Sequence, residues 1–233
     1  MEEGLTTILP TYNEEANIRY VVSDVIFYMR KYINNFEVII INDGSSDATL
    51  RILNEIKILY PEIEIVSHER NKGYGYAIKT GIRLAQKEWI FIMDSDNQYR
   101  VNGFDAFWNN RQYYDFILGY RLVRRDNIYR QWLGKIGTYI ANLFLNEPTK
   151  DLNCGFKLFR RRDLKNITLI STGGCIHFEI LFYLMKYKNK FFQLPVKHYR
   201  RNGGKATGGS LKVIFKNIWE GIKIVFHKKA EVL

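Results

Sequence analysis

Two cysteines, Cys154 and Cys175, are all that the 233 residues contain. That is too few for a disulfide framework and fits a reducing compartment. No apolar run reaches the roughly 18 residues of a membrane span, and the opening MEEGLTTILP is acidic where a signal peptide would be basic. The expectation is a chain kept in the cytosol. The four histidines, His68, His177, His198 and His227, lack metal-ligand spacing and read as structural. There is no internal repeat and no low-complexity linker. What is present is 46% hydrophobic and 15% aromatic, enough for one sizeable core. Charge is uneven. Lys and Arg number 35 against 24 Asp and Glu, a net +11 that favours an anionic partner, and the excess falls after residue 100.

Short β-branched runs alternate with helical patterns in the first hundred residues. LTTILP (5–10), FEVIII (36–41), IEIV (63–66) and WIFIM (89–93) read as strands, apolar nearly throughout as parallel strands covered on both faces must be. Amphipathic helices are expected at 16–32, 48–59 and 74–86. This βαβαβαβ series predicts an α/β, Rossmann-like, doubly wound and mostly parallel sheet with helices on both faces. Ligands gather at the carboxyl ends of such strands, where four polar clusters fall: Tyr12 to Glu14, Asn42 to Asp47, ERNKGYG, and Asp94 with Asp96. Beyond residue 100, DFILGYR and FFQLPV read as strands and CGFKLFRR as a strand or turn. Helices are expected at 128–145, 176–187 and 211–226, the last preceded by the basic glycine-rich RRNGGKATGGS.

Asp94 and Asp96 at a strand end suit a hard divalent cation, Mg²⁺ or Mn²⁺, which takes oxygen ligands and holds phosphate oxygens; the alternative is a helix cap or solvated turn. Asp43 can accept hydrogen bonds from a nucleobase or brace its own turn, and Asp47 reads as a helix N-cap. Pro10 stops the first strand, and Asn13 suits a cap. Tyr12 and Glu14 can line a base and ribose pocket. The two glycines of NKGYGYA are either a phosphate cradle or a tight turn.

The blocks LPTYNEE, VIIINDGSSDAT, ERNKGYGYAIKTGI, WIFIMDSDNQ, DLNCGFKLFRR and HYRRNGGKATGG resemble, in order, those of the inverting family-2 glycosyltransferases of GT-A fold. The likeness is to the branch of dolichyl- and polyprenyl-phosphate mannosyl- and glucosyltransferases. It implies a single GT-A domain over 1–233, with a nucleotide-sugar half (1–99), an acceptor half (100–210) and a C-terminal amphipathic helix (211–226). It further implies that Pro10, Tyr12, Glu14, Asp43 and Asp94 contact the nucleotide sugar and that Asp94, Asp96 and Gln98 hold the metal. Arg121 turns toward phosphate, Asp151 lies on the acceptor side, and Arg201 and Gly204 form the late RxxG element that holds the acceptor's phosphate. The chain departs from the pattern at Tyr99, Arg100 and Val101, and again at Ala206 and Thr207, where Lys205 is displaced.

The implied chemistry is attack on an anomeric carbon opposite a departing nucleoside diphosphate, with Asp96, Asp151 and Arg121 as the catalytic candidates. A hydroxyl acceptor needs a general base, for which Asp151 is the candidate. A phosphate acceptor needs cations instead, which Arg121, Arg125, Lys135, Arg200, Arg201 and Lys205 can supply, and +11 leans that way. The expectation is transfer of mannose or glucose from a GDP-mannose or UDP-glucose type donor to a polyprenyl phosphate at the cytosolic membrane face. A carbohydrate or lipid hydroxyl is the alternative acceptor. A nucleic-acid-binding module rests on charge alone, without recognition-helix or stacking motifs; an inactive nucleotide-sugar sensor is a third reading. In the last helix, Leu211, Ile214, Phe215, Ile218, Ile222 and Val225 share a face that suits either the headgroup layer of an anionic membrane or the domain's own core.

Overall fold

The computed structural model describes residues 3–125, 128–165, 167–201, 203 and 211–227. Its strands are β1 (Leu5–Thr11), β2 (Phe36–Asn42), β3 (Ile63–Ser67), β4 (Trp89–Met93), β5 (Phe116–Arg121), β6 (Phe156–Arg160) and β7 (Phe191–Val196). Its helices are α1 (Ile18–Tyr32), α2 (Thr49–Leu59), α3 (Tyr74–Leu84), α4 (Asp105–Asn110), α5 (Ile128–Asn142), α6 (Arg161–Lys165), α7 (Ile176–Lys186) and α8 (Leu211–His227). The strands form one sheet in the order β3-β2-β1-β4-β6-β5-β7. β6 pairs antiparallel with β4 and with β5, and every other pairing is parallel. The mostly parallel α/β sheet expected from the strand pattern is therefore present.

The unbroken apolar runs have a simple cause. Leu5, Leu9, Val38, Ile40, Trp89 and Phe91 enter one core with α1, while Ile8, Ile39, Ile41, Ile90 and Ile92 enter a second core with α3 and α7. Alternate side chains point to opposite faces of a strand, so two covered faces make most positions apolar, with Thr6 and Thr7 the buried polar residues at the start of β1. On α1, Ile18, Val21, Val22, Val25, Ile26 and Met29 recur at three- and four-residue spacing and are buried.

Because every strand but β6 points the same way, their carboxyl ends share one rim, and β6 begins there. Met93 pairs with Phe156, and Asp94 N–H donates to Gly155 O at 3.1 Å. The segment just before β6 is thereby laid beside the end of β4. CGFKLFRR, open between strand and turn in sequence, is this reversed strand running into α6.

α8 divides its apolar residues between two surroundings. Ile224 is buried and Val225 packs on the second core, whereas Ile218, Trp219, Ile222 and Phe226 are exposed. The apolar face expected along the helix, suited to a membrane or to the core, is thus split, with Ile224 leading inward; the side chains of Leu211, Ile214 and Phe215 lie outside those described. Glu220 pins the helix by accepting from Thr172 N–H at 3.1 Å, Thr172 Oγ1 at 2.9 Å and Gly173 N–H at 3.3 Å. Glu220→Ala removes the acceptor from all three donors. The expected loss is about 1–3 kcal/mol, seen as a lower Tm and as faster amide exchange along α8 than in α1.

Candidate active site at the strand ends

A cavity of about 1320 Å³ opens at the rim. Pro10, Tyr12, Glu14 and Asp43 line it from β1 and β2, Asp94, Asp96 and Gln98 from β4, and Arg121 and Arg201 from the second half. Most of the residues singled out in sequence therefore meet in one place. Lys135 and Arg200 are exposed and do not line it, which separates them from the expected phosphate site. Arg124 and Lys216 do line it. Lys205 and Gly204 lie outside the described residues.

Asp94 is held from several sides. Tyr74 O–H donates to its Oδ1 at 2.6 Å. Its carboxylate also lies on Gly155, where a Cβ would come within 1.9 Å of Oδ2, so only glycine fits beneath it. Burial pushes the Asp94 pKa up, and the Tyr74 hydrogen bond and the Lys157, Arg121 and Arg201 cations partly offset this. Lys157 is fully buried on β6, with its ammonium donating to Cys154 O. Burial lowers its pKa, and the Cys154 thiol with the Asp151 and Asp94 carboxylates opposes the shift.

Arg121 ends β5 and meets Asp151 in a two-point contact, Nε to Oδ2 at 2.6 Å and Nη2 to Oδ1 at 2.8 Å, with both side chains largely buried. Burial alone would raise the Asp151 pKa, but Arg121 overrides it and the net shift is downward. A carboxylate so held is a weak base. It stands behind Arg121 and does not line the cavity.

Asp43 braces the 68–73 loop. Its Oδ1 accepts from Lys72 N–H at 2.9 Å and lies 2.7 Å from His68 Nδ1, and its Oδ2 accepts from Gly73 N–H at 2.8 Å. Asp47, expected as the N-cap of α2, lies one residue before the actual N-cap Ala48 and accepts from Thr49 N–H at 3.0 Å, and Ser95 Oγ ties β4 to Pro10 O at 2.8 Å. Gln98 donates its amide to Tyr199 O at 3.1 Å. Tyr99, a departure from the family pattern, is buried with its hydroxyl accepting from Gly155 N–H at 3.3 Å. Arg100 lies over the Tyr20 and Tyr199 rings at 4.7 and 5.5 Å.

Arg201 bridges two strand ends. One nitrogen is paired with Glu14 and another lies 3.6 Å from Asp96 Oδ2. The side chain most expected to meet an acceptor is thus a stand-in cation among acidic groups. Among the described residues no three His, Cys, Asp or Glu side chains cluster as a metal site. Asp94, Asp96 and the Gln98 amide nonetheless offer hard oxygen donors, and Mg²⁺ typically takes one or two carboxylates plus substrate phosphates. With a guanidinium already answering the negative charge there, the residues fit a divalent cation.

Residues 6–168 match the family described as Glycosyl transferase family 2. Among curated relatives, the dolichyl-phosphate beta-glucosyltransferase ALG5D of Trichomonas vaginalis is 27% identical over 88% of this chain and 69% of its own length. A dodecaprenyl-phosphate galacturonate synthase of Rhizobium johnstonii is 28% identical over 97% of this chain and 67% of its own. Among solved structures, the mannosyl-3-phosphoglycerate synthase of Rubrobacter xylanophilus superposes with a TM-score of 0.74 at 11% identity, covering 98% of this chain and 74% of that one. The glucosyl-3-phosphoglycerate synthase of Mycobacterium tuberculosis, with Mn²⁺, UDP and phosphoglyceric acid, gives 0.69 at 16% identity over 94% and 78%. At such identities these two likenesses concern the fold.

Glu14 is buried, and burial raises its pKa from 4.5 to about 7, despite Asn17 and Arg201, with Asp96 and Asp94 adding to the rise. Between those values the folded chain keeps a proton that the unfolded chain releases, so stability falls as pH rises through the window. In Glu14→Gln that slope should flatten. Melting curves at pH 5 and pH 8 check this, the variant gaining on the parent at the higher pH.

Proposed function

The chain belongs to glycosyl transferase family 2, and on that premise we propose that it moves a hexose from a GDP- or UDP-linked nucleotide sugar to a polyprenyl phosphate at the cytosolic membrane surface. One observation carries the reading: a single cavity joins the acidic strand ends to Arg121, Arg124, Arg201 and Lys216 and then to apolar side chains of α5 and α8. A lipid-linked phosphate needs cations beside an apolar path. A sugar hydroxyl would need a general base, and Asp151 is held as an anion by Arg121.

In this reading Tyr12 and Glu14 take the nucleoside, and Asp94 orients the nucleotide sugar. Asp43 holds the loop beside the base, whatever contact it also makes with it. Asp96 and Gln98, with Asp94, would hold Mg²⁺ or Mn²⁺, which as a Lewis acid stabilises charge on the departing diphosphate. The ionised acceptor phosphate needs no proton removed. Arg121, kept in place by Asp151, and Arg201, released from Glu14 and Asp96, bring that oxygen to the face of the anomeric carbon opposite the diphosphate. The configuration there inverts.

Membrane contact is peripheral in this proposal. Among the described residues no helix is long and apolar enough to cross a membrane, while Trp132 and Tyr139 on α5, Leu143 just after it, and Trp219 and Phe226 on α8 are exposed. Amphipathic helices with aromatic and basic residues bind the headgroup layer.

Radiolabelled transfer from a panel of nucleotide sugars should give an organic-phase product with polyprenyl phosphate and Mn²⁺. A product formed only on sugar hydroxyls would overturn the acceptor assignment. Asp96→Ala should lower the rate by ~100-fold or more. Gly155→Ala should do likewise by displacing the Asp94 carboxylate. Trp132→Ser with Trp219→Ser, both exposed and outside the cavity wall, should weaken cosedimentation with anionic vesicles while transfer to a short-chain soluble polyprenyl phosphate persists.

A further inference from the structure

The two glycines of Gly73-Tyr74-Gly75 have a packing role in the structure. Their missing side chains make room for another loop: a Cβ at 73 would lie 2.4 Å from Thr172 O, and one at 75 would lie 2.6 Å from Gly173 O. Gly73 also has φ +100°, which disfavours other residues. Gly75 N–H donates to Thr172 O at 2.9 Å. This close approach brings the start of α3 against the start of α7, with Tyr74 between Asp94 and His177.

The Tyr74 hydroxyl touches both neighbours, Asp94 Oδ1 at 2.6 Å and His177 Nε2 at 3.1 Å, and the rings of Tyr74 and His177 are 5.4 Å apart. Proton directions follow from the acceptor-only carboxylate. Tyr74 gives its proton to Asp94, so its oxygen accepts from His177, which must carry its proton on Nε2. Burial, with Lys157 and Arg121 nearby, keeps that imidazole neutral. Among the described residues His177 Nδ1 is then a buried acceptor with no hydrogen-bond partner. Such an orphan is destabilising, and a leucine at this position would avoid it, whereas the other buried polar side chain of α7, Glu179, is satisfied by Ile170 N–H and Ser171 N–H. The histidine therefore answers a need other than packing. If Asp94 instead holds the proton, both bonds reverse and the same atoms stay in line, so the chain fixes orientation.

We propose that Tyr74 and His177 are positioning residues for Asp94, a buried chain of two hydrogen bonds that sets the side-chain orientation in which Asp94 meets the nucleotide sugar. The inference rests on the glycosyltransfer reading of the site. With Gly155 beneath Oδ2 and Tyr74 on Oδ1, the carboxylate has one resting place, and His177 acts only through the tyrosine.

A double-mutant cycle tests this. Tyr74→Phe keeps the ring, His177→Leu keeps the bulk, and His177→Gln restores an N–H near the Nε2 position. Two readouts are followed: kcat/KM for the nucleotide sugar, and the Tm rise given by nucleoside diphosphate with Mn²⁺, which needs no turnover. Each of Tyr74→Phe and His177→Leu should lower kcat/KM by about tenfold or more and shrink the Tm rise. His177→Leu should add nothing in the Tyr74→Phe background, and His177→Gln should recover most of the loss. Additive effects, full activity in His177→Leu, or a Gln variant no better than Leu would overturn the proposal. A parent protein that transfers no sugar at all would instead count against the functional reading, and the Tm cycle would still decide the positioning role.

Discussion

Negative charge at the carboxyl end of β4, partly withdrawn from water, is the constraint around which the molecule is organised. A carboxylate in that position is unfavourable unless cations and hydrogen-bond donors approach it. For Asp94 the cations come from far along the chain: Lys157 from β6, Arg121 from β5 and Arg201 from the segment after β7. The first hundred residues cannot neutralise their own rim. Reversed β6, inserted beside β4, answers that need, because it places Gly155 under the carboxylate and Lys157 within its field.

The basic excess thus has two uses. Lys157 is a buried structural cation near Asp94, and Arg121, largely buried against Asp151, serves both, since it also reaches the cavity wall. Arg124, Arg201 and Lys216 line the open cavity, where an anionic ligand can reach them. A net charge of +11 does not distinguish these groups; burial does. Apolar side chains of α5 and α8 line the same cavity. Charge and apolar surface therefore share one cavity.

The strands of the first half were legible because two covered faces force continuous apolar runs, and the strand-end carboxylates stood out against them. β6 was less clear, since Lys157 inside CGFKLF breaks the apolar pattern and looks like a surface residue. A lone lysine in such a run is itself a signal of a buried, paired charge. His177 in GGCIHFEILF sends a similar signal, and its partner Tyr74 is about a hundred residues away, beyond any local pattern. The glycines at 73 and 75 stay open in sequence between a phosphate cradle and a tight turn, and a further use of a missing side chain, admitting Thr172 and Gly173, depends on tertiary packing. Asp43 stays open in sequence between a nucleobase contact and a brace for its own turn, and its bonds run to the 68–73 loop while it also lines the cavity. The exposure of Lys135 and Arg200 depends on helix and loop orientation that composition does not encode.

The contact of Asp94 with Gly155 also constrains which sequences can exist. With the carboxylate oxygen 1.9 Å from the place a Cβ would occupy, a chain of this fold cannot acquire a side chain at 155 and keep aspartate at 94 in this orientation. Mutation at one position therefore removes the selective reason for the other. Relatives that have abandoned the chemistry are expected to lose the two residues as a linked pair, and that joint loss is a marker by which a silent paralogue can be told from an active one.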